Sequence, residues 1–408
     1  MKTLLVFAML LLAAPAFAQG ESGGNTPPAE SKESKGSPNG YNDKEKKEEG
    51  PLDFSPNRLG WGLSARLGFG YDTNIFKVDR DEESGWFGDG RAAAYFGVNI
   101  ANALQLGFEG KAGGRFYFGR EDAHDANLFS LWGAAFLEHR AQPGGFGGGL
   151  RVEGEYEQRQ FYEIYGPITR QDDLRRANFF ARTWFDWLPV KWLLLDWGLY
   201  GRLTDFTEDE FSGNFKVPSN DSWMFGVDFR PELRFWEFLT IGPYILFEYE
   251  WFRDQFDIHP DNLTFDDDKL QLLRYEFGAR ARLRFFTVNQ TSAKIYARRQ
   301  DDSAQGFLRY WTYGLQAQTN FNFYIVRIGG GIDLWTREYD ARRSDSSVFT
   351  ANSDTVFERY FSFNVEVAVN FFWTIEAGAR YRFERRTSLL DNEGYVVHEI
   401  TAFIGFDW

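Results

Sequence analysis

The residues with most chemical potential in this sequence are charged and evenly spaced. Between Leu273 and Phe285, the residues Arg274, Glu276, Gly278, Arg280, Arg282 and Arg284 alternate with apolar ones. In an extended chain that spacing puts the guanidinium groups in one row on one face. Such a row attracts anions by its field and offers forked donors to carboxylate or phosphate. Acid–base or metal chemistry has few candidates. The chain has 4 histidines and no cysteine. His259 lies near Asp254, Asp257 and Asp261, and His124 lies between Asp122 and Asp125. Either group could hold a metal or pair a carboxylate with an imidazole. The plainer reading of both, as of the run Asp266, Asp267 and Asp268, is a solvated acidic loop. His139 and His398 have no such company, and no serine sits in a nucleophile motif. We expect no enzyme and no cofactor.

Extended elements must position these residues, and they are written plainly. From Leu59 to Asp72, Leu59, Trp61, Leu63, Ala65, Leu67, Phe69 and Tyr71 are apolar, and every residue between them is glycine, polar or charged. Alternation over that length arises by chance roughly once in ten thousand trials or less. The pattern recurs at Arg91–Ile100, Leu104–Phe118, Leu128–Arg140, Phe146–Gln158, Arg175–Trp187, Trp192–Thr204, Trp223–Arg234, Leu239–Trp251, Leu273–Phe285, Thr291–Arg299, Tyr310–Thr319, Tyr324–Arg337, Phe357–Asn370, Trp373–Glu384 and Tyr395–Trp408. Leu128–Arg140 is apolar on both faces, so its register is open. Thr291–Arg299 is short.

The connections alternate in length. Ala101–Ala103, Ala141–Gly145, Leu188–Lys191, Phe235–Phe238, Thr287–Gln290, Asn320–Phe323 and Phe371–Phe372 are tight. The intervening ones, such as Phe161–Asp172, Asp205–Asn220 and Arg253–Asp268, are mostly longer and acidic. Trp187, Trp192, Trp236, Trp373 and Trp408 gather near the tight turns. Tyr71, Trp223, Tyr249, Trp251, Tyr381 and Phe383 gather near the long loops. Two aromatic girdles, an even strand number and this two-stroke rhythm predict an all-β, single-domain, 16-stranded antiparallel up-and-down transmembrane β-barrel, with 14 or 18 strands as alternatives. Pro231 and Pro243 lie equally far from the turn between segments eight and nine. Each removes a ladder donor, so a bulge or gap is expected there.

The two ends agree. Lys2, the apolar run Leu4–Leu12 and Ala16-Phe17-Ala18 read as a secretion signal over 1–18. Residues 19–56 are rich in Gly, Ser, Pro, Lys and Glu and are expected to be a disordered periplasmic leader, with the barrel over 57–408. The ending Glu399–Trp408 resembles the C-terminal strand of Gram-negative outer-membrane β-barrels, which implies an insertion signal carried by Phe406 and Trp408. Gly70-Tyr71-Asp72-Thr73-Asn74-Ile75-Phe76 resembles the start motif of putative Gram-negative β-barrel porins, and the structural reading of the same residues is an Asx turn capping a strand. The resemblance implies an outer-membrane channel or export barrel with both termini in the periplasm.

The net charge of −14 argues against nucleic-acid partners. Partners are expected to be outer-membrane lipid and lipopolysaccharide, the barrel-assembly machinery, and a periplasmic or envelope-complex protein under the second reading below. Asp266, Asp267 and Asp268 are candidates for a divalent cation that bridges lipopolysaccharide phosphates. Inward positions fall to Arg66, Arg151, Arg182, Arg280, Arg282, Arg327 and Arg380, facing Glu155, Asp228, Glu248 and Glu366. They read either as a constriction on a solute path or as cross-strand pairs that satisfy one another. The expected function is diffusion of small hydrophilic solutes. The alternative is a non-enzymatic barrel in an envelope machine for polysaccharide export, adhesion or motility.

Overall fold

The computed structural model describes residues 60–75, 84–101, 104–118, 127–165, 168–206, 221–235, 238–258, 265–285, 289–303, 308–343, 355–371, 374–388 and 394–407. They form sixteen strands: β1 Gly60–Asp72, β2 Gly85–Ala101, β3 Leu104–Phe118, β4 Leu128–His139, β5 Phe146–Tyr165, β6 Ile168–Val190, β7 Leu193–Phe206 and β8 Ser222–Phe235, followed by β9 Leu239–Ile258, β10 Phe265–Phe285, β11 Asn289–Asp302, β12 Tyr310–Phe323, β13 Val326–Arg343, β14 Thr355–Phe371, β15 Ile375–Ser388 and β16 Tyr395–Asp407. Each strand pairs antiparallel with its sequence neighbours, and β1 pairs with β16, so the sheet is a closed barrel. The closing seam runs from Ser64 opposite Asp407 to Asp72 opposite Glu399. Leu59 and Trp408 lie outside the described residues.

Followed round the wall, the registers return to β1 displaced by about 20 residues. With strands about 4.8 Å apart, that stagger inclines them by about 40° and sets a backbone radius of about 16 Å.

The two faces invert the usual burial. On the outer face Leu67 is 70% exposed, and Trp61, Phe179, Ile245 and Ile400 are each more than half exposed. On the inner face Glu276, Glu358 and Glu384 are fully buried. A continuous apolar belt of this kind would drive association in water. In a bilayer it is the solvated face, and closure leaves no strand edge to hydrocarbon. Aromatic side chains crowd the long-loop side of the belt, where Trp223 and Trp251 stack at 6.2 Å and Tyr249 lies 5.9 Å from Trp251. Trp187 and Trp192 mark the tight-turn side, 37% and 57% exposed. Trp236 and Trp373 lie outside the described residues.

The structure settles the register of β4. Phe129, Leu131 and Leu137 face out and are exposed, while Trp132, Ala134 and Phe136 face in and are buried. The strand reads as apolar on both faces because inward rings find cover inside the wall. Trp132 donates its indole N–H to Glu153 at 3.0 Å. Phe136 lies over Gly107 of β3, where a Cβ would come within 2.1 Å of the ring.

Several expected connections are corrected, among them Leu188–Lys191, where β6 runs to Val190 and the turn falls at Lys191 and Trp192. Phe161–Asp172 is not an open loop: β5 and β6 stay paired up to Tyr165 opposite Ile168. Arg253–Asp268 is likewise shortened, since β9 runs to Ile258 and β10 starts at Phe265. Backbone pairing continues beyond the bilayer, where neither face is under pressure to be apolar, so alternation fades before the ladder ends. Asp266, Asp267 and Asp268 therefore belong to a strand, and their side chains lie outside the described set. The turn after β12 falls at Tyr324 and Ile325 rather than at Asn320–Phe323, with Tyr324 at φ 50° and 96% exposed. Thr291–Arg299 is the centre of a full-length β11.

The expected break between β8 and β9 is present. Rungs run from Ser222 opposite Phe252 to Phe229 opposite Ile245, stop, and resume in the same register at Leu233 opposite Ile241. That register places Pro231 opposite Pro243, so two missing N–H donors meet and the ladder opens. Both prolines keep their pairing on the other side, with Leu195 and Ala279. The backbone crowds here: a Cβ on Gly242 would stand 1.9 Å from the Pro231 carbonyl oxygen. Because the obstacle is main chain, Gly242→Ala is expected to cost about 1–3 kcal/mol. Denaturant unfolding of the reconstituted barrel measures this.

The motif at the end of β1 is a structural seal. The Asp72 carboxylate accepts the Asn74 backbone N–H at 2.9 Å, an Asx turn, and the Tyr117 hydroxyl at 3.2 Å. Asn74 is fully buried and its amide donates to the Val396 carbonyl at 3.3 Å. The turn thus ties β1 to both β3 and the start of β16. Phe76 lies outside the described residues.

Candidate functional site: the inner wall

Glycine and aromatic residues set the shape of the inner wall. Tyr200 lies over Gly226, Tyr244 over Gly278 and Tyr296 over Gly314, each ring directly opposite its glycine on the adjoining strand. A Cβ at these glycines would come within 2.1–2.8 Å of the ring atoms. The rings lie along the wall, and their hydroxyls reach sideways: Tyr200 donates to Glu248 at 2.9 Å and Tyr244 to Glu276 at 2.6 Å.

The charged residues also reach along the wall. Arg66 on β1 donates to Glu366 on β14 at 3.1 Å and to Glu376 on β15 at 2.6 Å, with its guanidinium 3.6 Å from the Phe403 ring centre. Arg327 meets the same two carboxylates at 2.9 and 2.8 Å. Arg151 pairs with Glu109 at 3.1 Å and Glu153 at 2.6 Å. Arg182 pairs with Asp228 at 3.0 Å, which also holds Arg230 at 2.8 Å. Arg380 reaches Glu399 at 3.2 Å. Glu155 accepts from the Asn178 amide at 3.1 Å. Glu248 lies 3.7 Å from Arg274, which also holds Glu250 at 2.5 Å. These pairs join strands at most three positions apart round the sheet, so they line the wall rather than converge on one constriction.

Arg280 and Arg282 follow one another on the inner face of β10. Together with Arg230, Lys294, Gln316 and Gln318 they line a recess of about 60 Å³ beside the β8–β9 break. Arg280 contacts the Tyr244 ring, 5.0 Å from guanidinium to ring centre.

Two clusters escaped the sequence-based list of sites. Glu399, 1% exposed, accepts two bonds from Arg115 at 3.0 and 3.1 Å. Glu276 holds Lys294 at 2.8 Å and Arg298 at 2.5 Å. Inward parity was the available signal for all of them. Arg115 lies in a glycine-rich stretch where alternation is faint, and Lys294 and Arg298 lie on the strand that reads as weakest. Phe406 is half exposed on the outer face. His398 is on the outer face too, its Nδ1 2.8 Å from the Tyr381 hydroxyl. His139 is exposed near a tight turn, and His124 and His259 lie outside the described residues. Among the described residues no three His, Asp or Glu side chains form a metal cluster.

No protein-family model matches the chain. No curated protein matches it in sequence. Among solved structures, CdiB from Acinetobacter baumannii is 7% identical with a TM-score of 0.44, over 85% of this chain and 60% of CdiB. This chain therefore spans about three fifths of the length of that structure. OccAB3 from Acinetobacter baumannii is 9% identical with a TM-score of 0.43, over 86% of this chain and 100% of that one. A bacterial polysaccharide outer membrane secretin is 11% identical with a TM-score of 0.37, over 84% and 98%. What this barrel does has to be read from its own residues.

Proposed function

We propose that this barrel is an outer-membrane channel through which small hydrophilic solutes diffuse, with no catalytic step. The observation that carries the reading is the wall itself. A backbone radius of about 16 Å is wide for a tube whose inner side chains lie sideways on their neighbours. Those side chains are polar and charged in both signs, which suits a wet lumen. The apolar outer belt supports a bilayer location, and the secretion signal with the C-terminal aromatic strand supports the outer membrane of a Gram-negative cell. Tight turns at 191–192 and 324–325 would then face the periplasm and the longer hairpins the outside.

Purified full-length protein added to a planar bilayer is expected to give stepwise increases in conductance. A correctly folded barrel that inserts and passes no current would overturn the channel reading. Recovery of that silent barrel with periplasmic proteins would favour the envelope-machine alternative.

A further inference from the structure

Among the described residues, cations outnumber carboxylates in the recess beside the β8–β9 break. The cations Arg230, Arg280, Arg282 and Lys294 line it with one carboxylate, Glu232. The carboxylates nearby are already engaged. Asp228 holds Arg182 and Arg230, Glu232 holds Arg234 at 3.6 Å, and Glu276 holds Lys294 and Arg298. Asp333, on the far side, accepts from the Gln316 amide at 3.3 Å. From Arg280 toward the tight turn, the inward residues of β9 to β12 include Thr240, Ser292, Gln316 and Gln318 and no carboxylate. Nε and Nη2 of Arg280 are buried and have no hydrogen-bond partner in the protein. Two donors of a planar guanidinium are thus withdrawn from bulk solvent with nothing to donate to, a costly state unless an acceptor arrives.

We propose that this recess is an oxyanion site, which takes a carboxylate, phosphate or sulfate group of a solute on Arg280 and Arg282. The fork of an arginine matches the two oxygens of such a group better than it matches a halide. Gln318 brings a further amide to the lining, and the Tyr244 ring lies beside Arg280. The stretch without rungs at Pro231 and Pro243 borders the hollow. The inference rests on the channel reading for its role, which is to draw anionic solutes to one wall of the lumen near the tight-turn rim.

The test uses the full-length barrel in two settings. In planar bilayers in chloride, citrate and inorganic phosphate are titrated separately, and in detergent the same anions are titrated by calorimetry. Reversible block and measurable binding are expected. Arg280→Gln should raise the half-blocking concentration and the dissociation constant about tenfold, the scale of one lost charge-assisted contact at a partly screened site. Lys111→Gln removes an inward charge from β3, outside the recess, and should leave both values unchanged. Activity of either anion supports the site, and the stronger of the two identifies the source of the oxyanion. Binding without conductance would overturn the channel reading and leave the site standing. Conductance with no effect of either anion would overturn the site and leave the channel. Equal weakening by Arg280→Gln and Lys111→Gln would mean a diffuse lumen field and would also overturn the site. Loss of the heat-modifiable band on gels identifies any variant that fails to fold.

Discussion

Leu67→Arg is expected to destabilise the bilayer-embedded barrel by about 2–4 kcal/mol, the cost of an outward arginine near the membrane midplane. Leu67 is 70% exposed in the middle of β1, and its closing-seam partner Ile404 is also outward and 53% exposed. In a water-soluble β-protein the same change would relieve an exposed apolar side chain and cost almost nothing. The two environments therefore predict clearly different costs. Thr387→Arg is the control. Thr387 is outward on β15, opposite Arg359 and beyond the aromatic side chains Phe361 and Phe383. At that depth an arginine should cost about 0–1 kcal/mol. Reversible denaturant unfolding in lipid vesicles measures both, and equal costs would mean that the apolar belt does not face lipid.

Glu399→Gln is expected to cost about 3–5 kcal/mol, because it strips the anion from a buried cluster and strands its cations. Glu399 binds Arg115 through both oxygens and also meets Arg380 at 3.2 Å and Arg382 at 3.7 Å. The Arg115 contact reaches from β3 across β2 and β1 to β16, so it bridges the closing seam from inside. In the variant, three guanidinium groups would be left with Glu384, which Arg382 contacts, as a compensating anion. Glu138→Gln is the contrast. Its pair with Arg140 is about a third exposed on both sides, and its loss should cost about 0–1 kcal/mol. Loss of heat-modifiability at lower temperature for Glu399→Gln, and not for Glu138→Gln, is the expected gel result.

The architecture was legible because lipid outside and water inside impose a strict two-residue period. Leu59–Asp72 shows it over its full length. Legibility ended wherever one of those solvents was replaced. In β4, Trp132 and Phe136 face in but are covered by neighbouring strands, so the inner face stops reading as polar. Near the long-loop ends of β5, β6, β9 and β10 there is water on both sides, so pairing persists without a pattern. The prolines were legible for another reason: a missing donor is a property of the residue, and their equal distance from a turn fixed the register.

Charge partners were harder to read. Parity placed Arg66, Arg151, Arg182, Arg280, Arg282, Arg327 and Arg380 on the inside, together with Glu155, Asp228, Glu248 and Glu366. It could not say which meets which. Arg115 and Glu399 are 284 residues apart and share a level only because closure and the accumulated stagger of every register bring them together. A single misjudged turn would move the partner by a full side chain or more. The pairing list is therefore a property of the whole circuit, whereas the inward or outward sense of a residue is a property of its own strand.

Rings folded onto glycines have a consequence for calibre. Where Tyr200, Tyr244 and Tyr296 recline on Gly226, Gly278 and Gly314, the side chain adds its thickness to the tube, not its length. Replacing the tyrosine by phenylalanine would leave the clearance as it is. A methyl group on the glycine would prop the ring upright and set a spoke into the passage, so the smallest residues in this protein govern how much room the largest ones leave.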